Sequence, residues 1–296
     1  MHSDVPFAVW SRERQQRVED VLARALSNDA MPAPQRLGDA MRYAVLGGGK
    51  RVRALLVYAS SEIQRSDPAH VDGCAAALEL MHAYSLVHDD LPCMDDDALR
   101  RGKPSCHVAF GEAIALLAGD ALQTRAFAMI AQSGVRDRSA AFVLLAEAAG
   151  ASGMAGGQAI DLEATGRVLD LAELTAMHRM KTGAVIRASV LLGVQAGDAL
   201  SPSDMTALQR YADAIGLAFQ VVDDLLDVEG ATAVIGKSAG KDAANDKPTF
   251  VSLLGLAAAK ERAEALRADA RDALVPFGDR ARRLGEIADW IVDRQF

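Results

Sequence analysis

Long stretches rich in alanine and leucine dominate this chain, and their apolar residues recur at spacings of three and four. That spacing puts apolar side chains on one face of an α-helix, or around most of a helix that is fully buried. The stretches are LGDAMRYAVLGGG, CAAALELMHAYSLVHD, AIALLAGDALQTRAFAMIA, LTAMHRMKTGAVIRASVLLGVQAG and MTALQRYADAIGLAFQVVDDLLD. The sequence has no run of alternating β-branched residues joined by hairpin turns. We therefore predict an all-α fold, a single large helical bundle with a buried centre.

The 296 residues, half of them hydrophobic, are enough for one large domain or two modest ones. Most of the nine prolines fall at plausible loops between the helical stretches. No low-complexity linker, shift in composition or short-period repeat divides the sequence. A single domain over residues 1–296 is the simplest prediction.

The net charge of −8 and the isoelectric point near 5.3 argue against a general attraction to nucleic acid. An anionic substrate would need local basic clusters or metal ions. Three cysteines without a C-x-x-C pair indicate reduced thiols. The N-terminus lacks the basic and apolar segments of a signal peptide, and apolar runs such as AIALLAG look too short to span a bilayer. We expect a soluble cytoplasmic protein with no stable membrane insertion.

Two clusters of aspartates stand at the ends of apolar helical stretches. The first, DDLPCMDDD, holds five aspartates in a run of nine residues that begins at Asp89, and the second is DDLLD. Asp223 and Asp227 of the second cluster lie on one helix face, a turn of about 5.4 Å apart. In the first cluster we expect Pro92 to bend the backbone so that Asp89 and Asp95 converge.

Carboxylates at the end of an apolar helix are costly unless they are exposed or bind a cation. One such cluster alone is typical of an exposed acidic loop. Two of them together indicate a Mg²⁺ site, because Mg²⁺ prefers carboxylate oxygens and bridges them to substrate phosphates. His88 and His107 flank the first cluster, but their spacing fits no zinc site.

Basic residues that suit a phosphate stand near glycines and near the first aspartate cluster. GGGKRVR places Lys50, Arg51 and Arg53 after three glycines, where backbone N–H groups can approach a phosphate. The spacing is not that of a P-loop, so the basic first turn of an ordinary helix is an alternative. Arg100 and Arg101 are either salt-bridge partners of the first cluster or phosphate ligands. Further candidates are Lys181, Thr182, Lys237, Lys241 and Lys247.

Taken together, these motifs resemble those of the trans-type polyprenyl diphosphate synthase family. DDLPCMDDDALRRGKP, FQVVDDLLD, GGGKRVR, GGQAIDL, MKTG and the lysine-rich run that ends in DKPT stand in that family's order, over residues 36–296. The resemblance implies a helical bundle of the isoprenoid synthase type around a central substrate cavity. It also implies a Mg²⁺-dependent condensation of isopentenyl diphosphate with allylic diphosphates, carried out by a homodimer.

The resemblance assigns roles to particular residues. It implies that Mg²⁺, with three ions per active site, is bound by Asp89, Asp95 and Asp223 and that Asp90 and Asp227 support the site. Contacts to the allylic diphosphate are implied for Arg100, Lys181, Thr182, Gln220, Lys237 and Lys247. Contacts to isopentenyl diphosphate are implied for Gly49, Lys50, Arg53, His82 and Arg101. In GGQAIDL, a motif near the reacting end, the matching residues are Gln158 and Asp161.

Two departures from the family's motifs and one indication of the product chain length complete the comparison with the family. Ala98 interrupts an aspartate run that often continues in relatives, and Pro248 removes a backbone donor from the DKPT loop, which puts its closing geometry in doubt. Tyr84 and Ser85 lie about one helical turn, roughly 5–7 Å, before Asp89. An aromatic residue there accompanies a fifteen-carbon product among relatives. The alternative is that Tyr84 only packs in the core.

Other functions stay open at this point. The same enzyme class with a ten- or twenty-carbon product is the nearest, and a silent subunit that modulates a partner is another. Intact aspartates in both motifs argue against the silent subunit. A terpene cyclase would share the helical fold, but the second aspartate motif and the basic residues argue against it. An acidic binding protein with solvated clusters would show no dependence on Mg²⁺.

Overall fold

The computed structural model describes residues 5–167, 169–229 and 248–294. Over these residues the protein is built almost wholly of helices, with one short antiparallel hairpin. The described residues fall into two compact units. The first takes those up to residue 142 together with 192–197, and the second takes the others.

The first unit is formed by the early helices and the hairpin. Its helices are α1 (Phe7–Ala25), α2 (Gln35–Val45), α3 (Val52–Ser61), α4 (Pro68–Asp89), α5 (Cys106–Phe110), α6 (Glu112–Ala131) and the start of α7 (Arg138–Ala149). The hairpin pairs β1 (Leu99–Arg100) with β2 (Lys103–Pro104). Short 3-10 turns lie at Glu62–Gln64 and Val194–Ala196.

Helix α4 is the centre of the first unit, and α1, α2, α3 and α6 pack against it. Asp67 caps its first turn by accepting a hydrogen bond from the Ala69 N–H, and Pro68 occupies the first helical position, where no N–H is needed. Residues 74–81 are buried on every side of the helix, in agreement with a sequence that is apolar except at Glu79. The helix ends at Asp89, so the first aspartate motif begins where the buried part of the unit meets the surface.

The second unit holds the later helices. These are α8 (Met154–Glu163), α9 (Leu171–His178), a π-helical turn (Arg179–Gly183), α10 (Ala184–Gly193, its end in the first unit), α11 (Pro202–Glu229), α12 (Phe250–Leu254), α13 (Leu256–Leu274) and α14 (Arg282–Val292). A 3-10 segment, Val275–Ala281, precedes α14.

Helix α11 is the centre of the second unit, where α13, α14 and the π-helical turn pack against it. It is anchored by Tyr211, a buried side chain whose hydroxyl donates a hydrogen bond to the Leu284 carbonyl oxygen over 2.7 Å. The helix continues to Glu229, so Asp223 and Asp227 lie in its last two turns. The second aspartate motif therefore belongs to the helix itself, as the shared helix face of Asp223 and Asp227 predicted.

The predicted all-α fold is confirmed, with two local differences. The stretch around MKTG is divided into α9, the π-helical turn and α10. The β1–β2 hairpin was not predicted, although Arg101 and Gly102 at its turn both have positive φ, as a tight two-residue hairpin turn requires. The single domain over the whole chain stays a prediction.

Two helical segments, Glu112–Ala131 and Arg138–Glu163, are long and apolar enough to cross a membrane by length and composition alone. The expectation that the run AIALLAG is too short was wrong, because it belongs to the 20-residue helix α6. The second segment is α7 and α8 with the turn between them. The core helix of a soluble protein passes the same test, so these segments are weak grounds for membrane insertion.

Candidate active site

The first aspartate motif begins on the last residue of α4 and folds back on it. The Asp95 N–H donates a hydrogen bond to the Asp89 carbonyl oxygen over 2.8 Å, and the Asp97 N–H donates to the Asp90 carbonyl oxygen over 3.2 Å. The backbone thus brings Asp89 and Asp95 together across the bend expected at Pro92. Both residues are half-buried, so their side chains remain accessible to a cation.

The side chain of Asp90 is buried and ion-paired. Its carboxylate accepts a hydrogen bond from Arg100 Nε over 3.0 Å, and the Arg100 guanidinium also lies 3.5 Å from Asp97. Arg100 is therefore a salt-bridge partner of the cluster, and this role is compatible with the phosphate contact that the resemblance implies. Arg101 points elsewhere, since its guanidinium donates to the Gly48 carbonyl oxygen.

Basic side chains gather around His82, which lies two turns before Asp89 on the same face of α4. Burial, followed by the positive charges of Arg53, Arg101 and Arg100, lowers the pKa of His82 well below 6.5. The imidazole is therefore neutral at pH 7 and sits in a positive environment. Such an environment suits a diphosphate, to which a neutral imidazole can still donate one hydrogen bond.

The glycine loop before α3 completes this basic group, and it needs glycine at Gly49. The φ angle there is +128°, and a Cβ atom would lie 2.8 Å from Arg101 Nη1. Lys50 follows as an exposed residue. Gly49, Lys50, Arg53, His82 and Arg101 all belong to the first unit.

The MKTG motif forms the π-helical turn, a rare geometry that is frequent at functional sites. Lys181 Nζ donates to Asp161 Oδ2 over 2.6 Å, and Thr182 Oγ1 donates to Gln220 Oε1 over 3.3 Å. The turn packs so closely on α8 that a Cβ atom at Gly157 would lie 2.2 Å from the Lys181 backbone nitrogen. The structure thus links three sequence motifs, GGQAIDL, MKTG and FQVVDDLLD, in the second unit.

The second aspartate motif uses its acidic residues in different ways. Asp224 is buried and accepts hydrogen bonds from Gln220 Nε2 over 2.9 Å and from the Phe250 N–H over 2.7 Å. Asp223 is half-buried and accepts a hydrogen bond from Arg294 over 2.8 Å, and Asp227 lies one turn further on. We did not predict the contact of Arg294 with Asp223 or that of the Phe250 N–H with Asp224, because these partners are 71 and 26 residues apart and no periodic pattern marks them.

Two buried polar side chains next to the π-helical turn have no hydrogen-bond partner among the described residues. They are Gln158 and His178. The ring of His178 lies 5.6 Å from that of Phe250. Burial, and then the positive charge of Lys181, lowers the pKa of His178 to about 4, so the ring is neutral. A buried neutral ring without a partner is a cost to stability rather than a proton carrier.

Tyr84 and Ser85 lie on α4 between His82 and Asp89, and both are half-buried. The Tyr84 ring meets the His88 ring edge-on, with centroids 5.0 Å apart. Burial, and then the negative charges of Asp89 and Asp120, raises the pKa of Tyr84 above 10, so the phenol is un-ionised. Ser85 Oγ donates to the His82 carbonyl oxygen over 2.9 Å.

Over the described residues, no three His, Cys, Asp or Glu side chains are close enough together to hold a metal ion by themselves. Mg²⁺ does not require such a cluster, since it commonly takes one or two carboxylates together with waters and substrate phosphates. Asp89 and Asp95, adjacent and half-buried, offer a set of this kind. Lys237 and Lys247, which were predicted to bind the allylic diphosphate, lie outside the described residues.

Comparison with known proteins agrees with these motifs. Residues 34–273 match the family model described as polyprenyl synthetase. The chain belongs to this family of prenyltransferases. It is 48% identical over 285 residues to a probable farnesyl diphosphate synthase of Sinorhizobium fredii, covering 94% of this chain and 85% of the relative. It is 46% identical over 282 residues to the farnesyl diphosphate synthase of Escherichia coli, covering 92% and 94%.

A solved structure supports the same grouping. The geranyltransferase from Helicobacter pylori, complexed with magnesium and isoprenyl diphosphate, has a TM-score of 0.84 and 30% sequence identity to this chain. The match covers 98% of this chain and 97% of that one. The family resemblance inferred from the motifs is confirmed.

Proposed function

We propose that the protein condenses isopentenyl diphosphate head-to-tail, in a 1′–4 linkage, with dimethylallyl and then geranyl diphosphate to give farnesyl diphosphate. The observation that carries this proposal is the placement of two unlike groups on α4. A positive group surrounds the neutral His82, and carboxylates of the first aspartate motif begin two turns later at Asp89. One group suits a bare diphosphate, and the other suits a diphosphate bound through metal ions.

The basic group is the proposed isopentenyl site. Lys50, Arg53 and Arg101 supply positive charge, while Gly49 lets the loop approach them closely. His82 donates a hydrogen bond to the diphosphate without carrying a charge. Binding there would fix the double bond of isopentenyl diphosphate beside the allylic carbon, so that the reaction proceeds within a preorganised pair.

The aspartates are the proposed allylic site. Asp89, Asp95 and Asp223 would hold Mg²⁺, with three ions per active site, while Asp227 supports them and Asp90 orients Arg100. When bound, Mg²⁺ would neutralise the charge that develops on the leaving diphosphate. Arg100, Lys181, Lys237 and Lys247 would bind the same diphosphate.

The condensation itself needs no protein nucleophile. The allylic C–O bond breaks with its electron pair leaving on the diphosphate, and the isopentenyl double bond attacks the resulting cation. The proton lost from the new chain passes to the released diphosphate. Thr182 and Gln220, which are hydrogen-bonded to each other, would offer dipoles to the cation, and Lys181 is fixed by Asp161.

We further propose that the protein is a homodimer. Val108, Leu116 and Leu117 on α5 and α6 are about half exposed, at 51%, 47% and 51%. Large apolar side chains exposed to this extent favour contact with a second copy. Light scattering after size-exclusion chromatography should give twice the chain mass, and a monomer at micromolar concentration would contradict the proposal.

The activity is tested by measuring diphosphate release with isopentenyl diphosphate, Mg²⁺ and either dimethylallyl or geranyl diphosphate. One diphosphate should appear for each isopentenyl diphosphate consumed, and none should appear with EDTA or without the allylic substrate. Consumption that EDTA does not stop would contradict the metal part of the proposal. No consumption with either allylic substrate would contradict the enzyme activity and favour a silent subunit.

A further inference from the structure

A buried ion cluster lies directly beneath the glycine loop. Arg51 is only 5% exposed, and Glu79 on α4 only 2%. Each guanidinium nitrogen of Arg51 has its own partner: Nε donates to Glu19 over 2.7 Å, Nη1 to Glu79 over 3.2 Å, and Nη2 to the Val45 carbonyl oxygen over 2.6 Å. A lysine could not satisfy three partners in these directions, because its ammonium is a single point charge.

The electrostatics of Arg51 agree with a structural role. Burial alone would lower its pKa, but the hydrogen bond to Glu19 and the charge of Glu79 outweigh burial and raise the pKa above its ordinary value. Its backbone has φ of +48°, in the left-handed region that a residue with a side chain seldom adopts. The three contacts therefore hold the main chain in an unfavourable conformation at one position in the loop.

Helix α1 holds the neighbouring residue as well. Gln15 Nε2 donates to the Lys50 carbonyl oxygen over 2.9 Å. Gln15 and Glu19 are four residues apart and thus share one face of α1. That face fixes Lys50 and Arg51, which are consecutive in the loop. Helix α1 precedes the segment 34–273 that matches the family model.

Glu79 joins the same cluster to α3. Its second carboxylate oxygen accepts a hydrogen bond from the Ala54 N–H over 3.1 Å, in the first turn of α3. Arg53 lies in that turn, between Arg51 and Ala54, which are both held by these contacts. The backbone from which Lys50 and Arg53 extend is therefore tied to α1 and α4 at several points.

We propose that Gln15, Glu19, Arg51 and Glu79 are positioning residues that set the geometry of the isopentenyl site. This inference rests on the proposed function, which places Lys50 and Arg53 in that site. None of the four needs to touch the substrate. They act by holding the loop backbone so that the two cations converge on one diphosphate.

Two pairs of variants on α1 test the proposal with matched controls. Gln15→Ala removes the hydrogen bond to Lys50, while Gln16→Ala removes an exposed glutamine one residue along. Glu19→Gln removes the charge beside Arg51, while Glu13→Gln makes the same change at an exposed site. Binding of isopentenyl diphosphate alone is measured by calorimetry without allylic substrate, and steady-state kinetics and thermal melting are measured on the same samples.

The expected effect is confined to isopentenyl diphosphate. In Gln15→Ala and Glu19→Gln its Kd and KM should rise about five- to tenfold, as the loss of one hydrogen bond or of one charge in the ion cluster allows. The allylic KM and kcat at saturation should stay within about twofold of the original. That limit is well below the effect expected from the loss of one hydrogen bond. Arg51→Lys should show a larger rise in the isopentenyl Kd and KM. Lysine keeps the positive charge but loses the planar guanidinium that donates in three directions.

Three results would overturn the inference. One is unchanged isopentenyl binding in both test variants, and another is an equal change in their controls. The third is a fall in kcat together with a rise in both KM values, in step with a fall in melting temperature, which would indicate general destabilisation. If the unmodified protein neither binds isopentenyl diphosphate nor consumes it, the proposed function itself fails.

Discussion

Tyr84 is the residue at which a single change should alter the product most clearly. It lies five residues before Asp89 on α4, which is about 7.5 Å along the helix axis. Its ring is held edge-on by His88, with centroids 5.0 Å apart. A phenol ring is about as long as one isoprene unit, whose four C–C bonds span roughly 5 Å. Tyr84→Ala should therefore make room for about one more unit.

The size of the effect follows from the burial of that unit. At about 0.8 kcal/mol per buried carbon, five further carbons are worth about 4 kcal/mol, or roughly a thousandfold in equilibrium. In the original protein the steric exclusion by the ring must outweigh this gain. Once the ring is removed, we expect a twenty-carbon product to change from a minor to a major species.

The assay is chain-length analysis of the dephosphorylated products from labelled isopentenyl diphosphate. Tyr84→Phe is the matched control, because it keeps the ring and its contact with His88 while it removes only the hydroxyl. It should still give the fifteen-carbon product. An active Tyr84→Ala protein with an unchanged product distribution would refute the role of Tyr84 as the end of the chain pocket.

Three further changes have defined outcomes. Asp89→Asn and Asp223→Asn should each lower kcat at least a hundredfold with unchanged circular dichroism, as loss of a transition-state charge interaction does. The nearby control Asp96→Asn should stay active. Near-normal turnover in Asp89→Asn or Asp223→Asn would contradict the metal model. Gly49→Ala should raise the isopentenyl KM and leave the allylic KM unchanged, because its Cβ atom would displace Arg101. An isopentenyl KM equal to that of the original protein would contradict this role of Gly49. His178 stays neutral in the folded protein down to about pH 4 but is protonated near 6.5 when unfolded, so stability should fall by about 3 kcal/mol as pH drops across that window. His178→Phe should remove that part of the pH dependence in urea melts, and an identical dependence in both proteins would contradict the assignment.

The parts of the site that the sequence predicts are those with short-range signals. Helical spacing predicts α4 and α11, and the position of the aspartates near the ends of these helices follows from the same pattern. The bend that brings Asp95 to Asp89 follows from Pro92 and a short loop, because turn chemistry acts over a few residues.

Contacts between distant residues could not be predicted in this way. Arg51 reaches Glu19 and Glu79 across 32 and 28 residues, and Arg294 reaches Asp223 across 71. No periodicity or spacing connects such pairs, since their meeting depends on how the helices pack. The π-helical turn was also missed, because its apolar pattern differs little from that of a continuous helix.

The measurement to make first is the product formed from labelled isopentenyl diphosphate and dimethylallyl diphosphate with Mg²⁺, resolved by chain length beside an EDTA control. A Mg²⁺-dependent fifteen-carbon alcohol after dephosphorylation is the expected result, with ten-carbon material only as an intermediate. A main product of ten or twenty carbons would contradict the assignment of Tyr84, and fifteen-carbon product in the presence of EDTA would contradict the role of the two aspartate motifs.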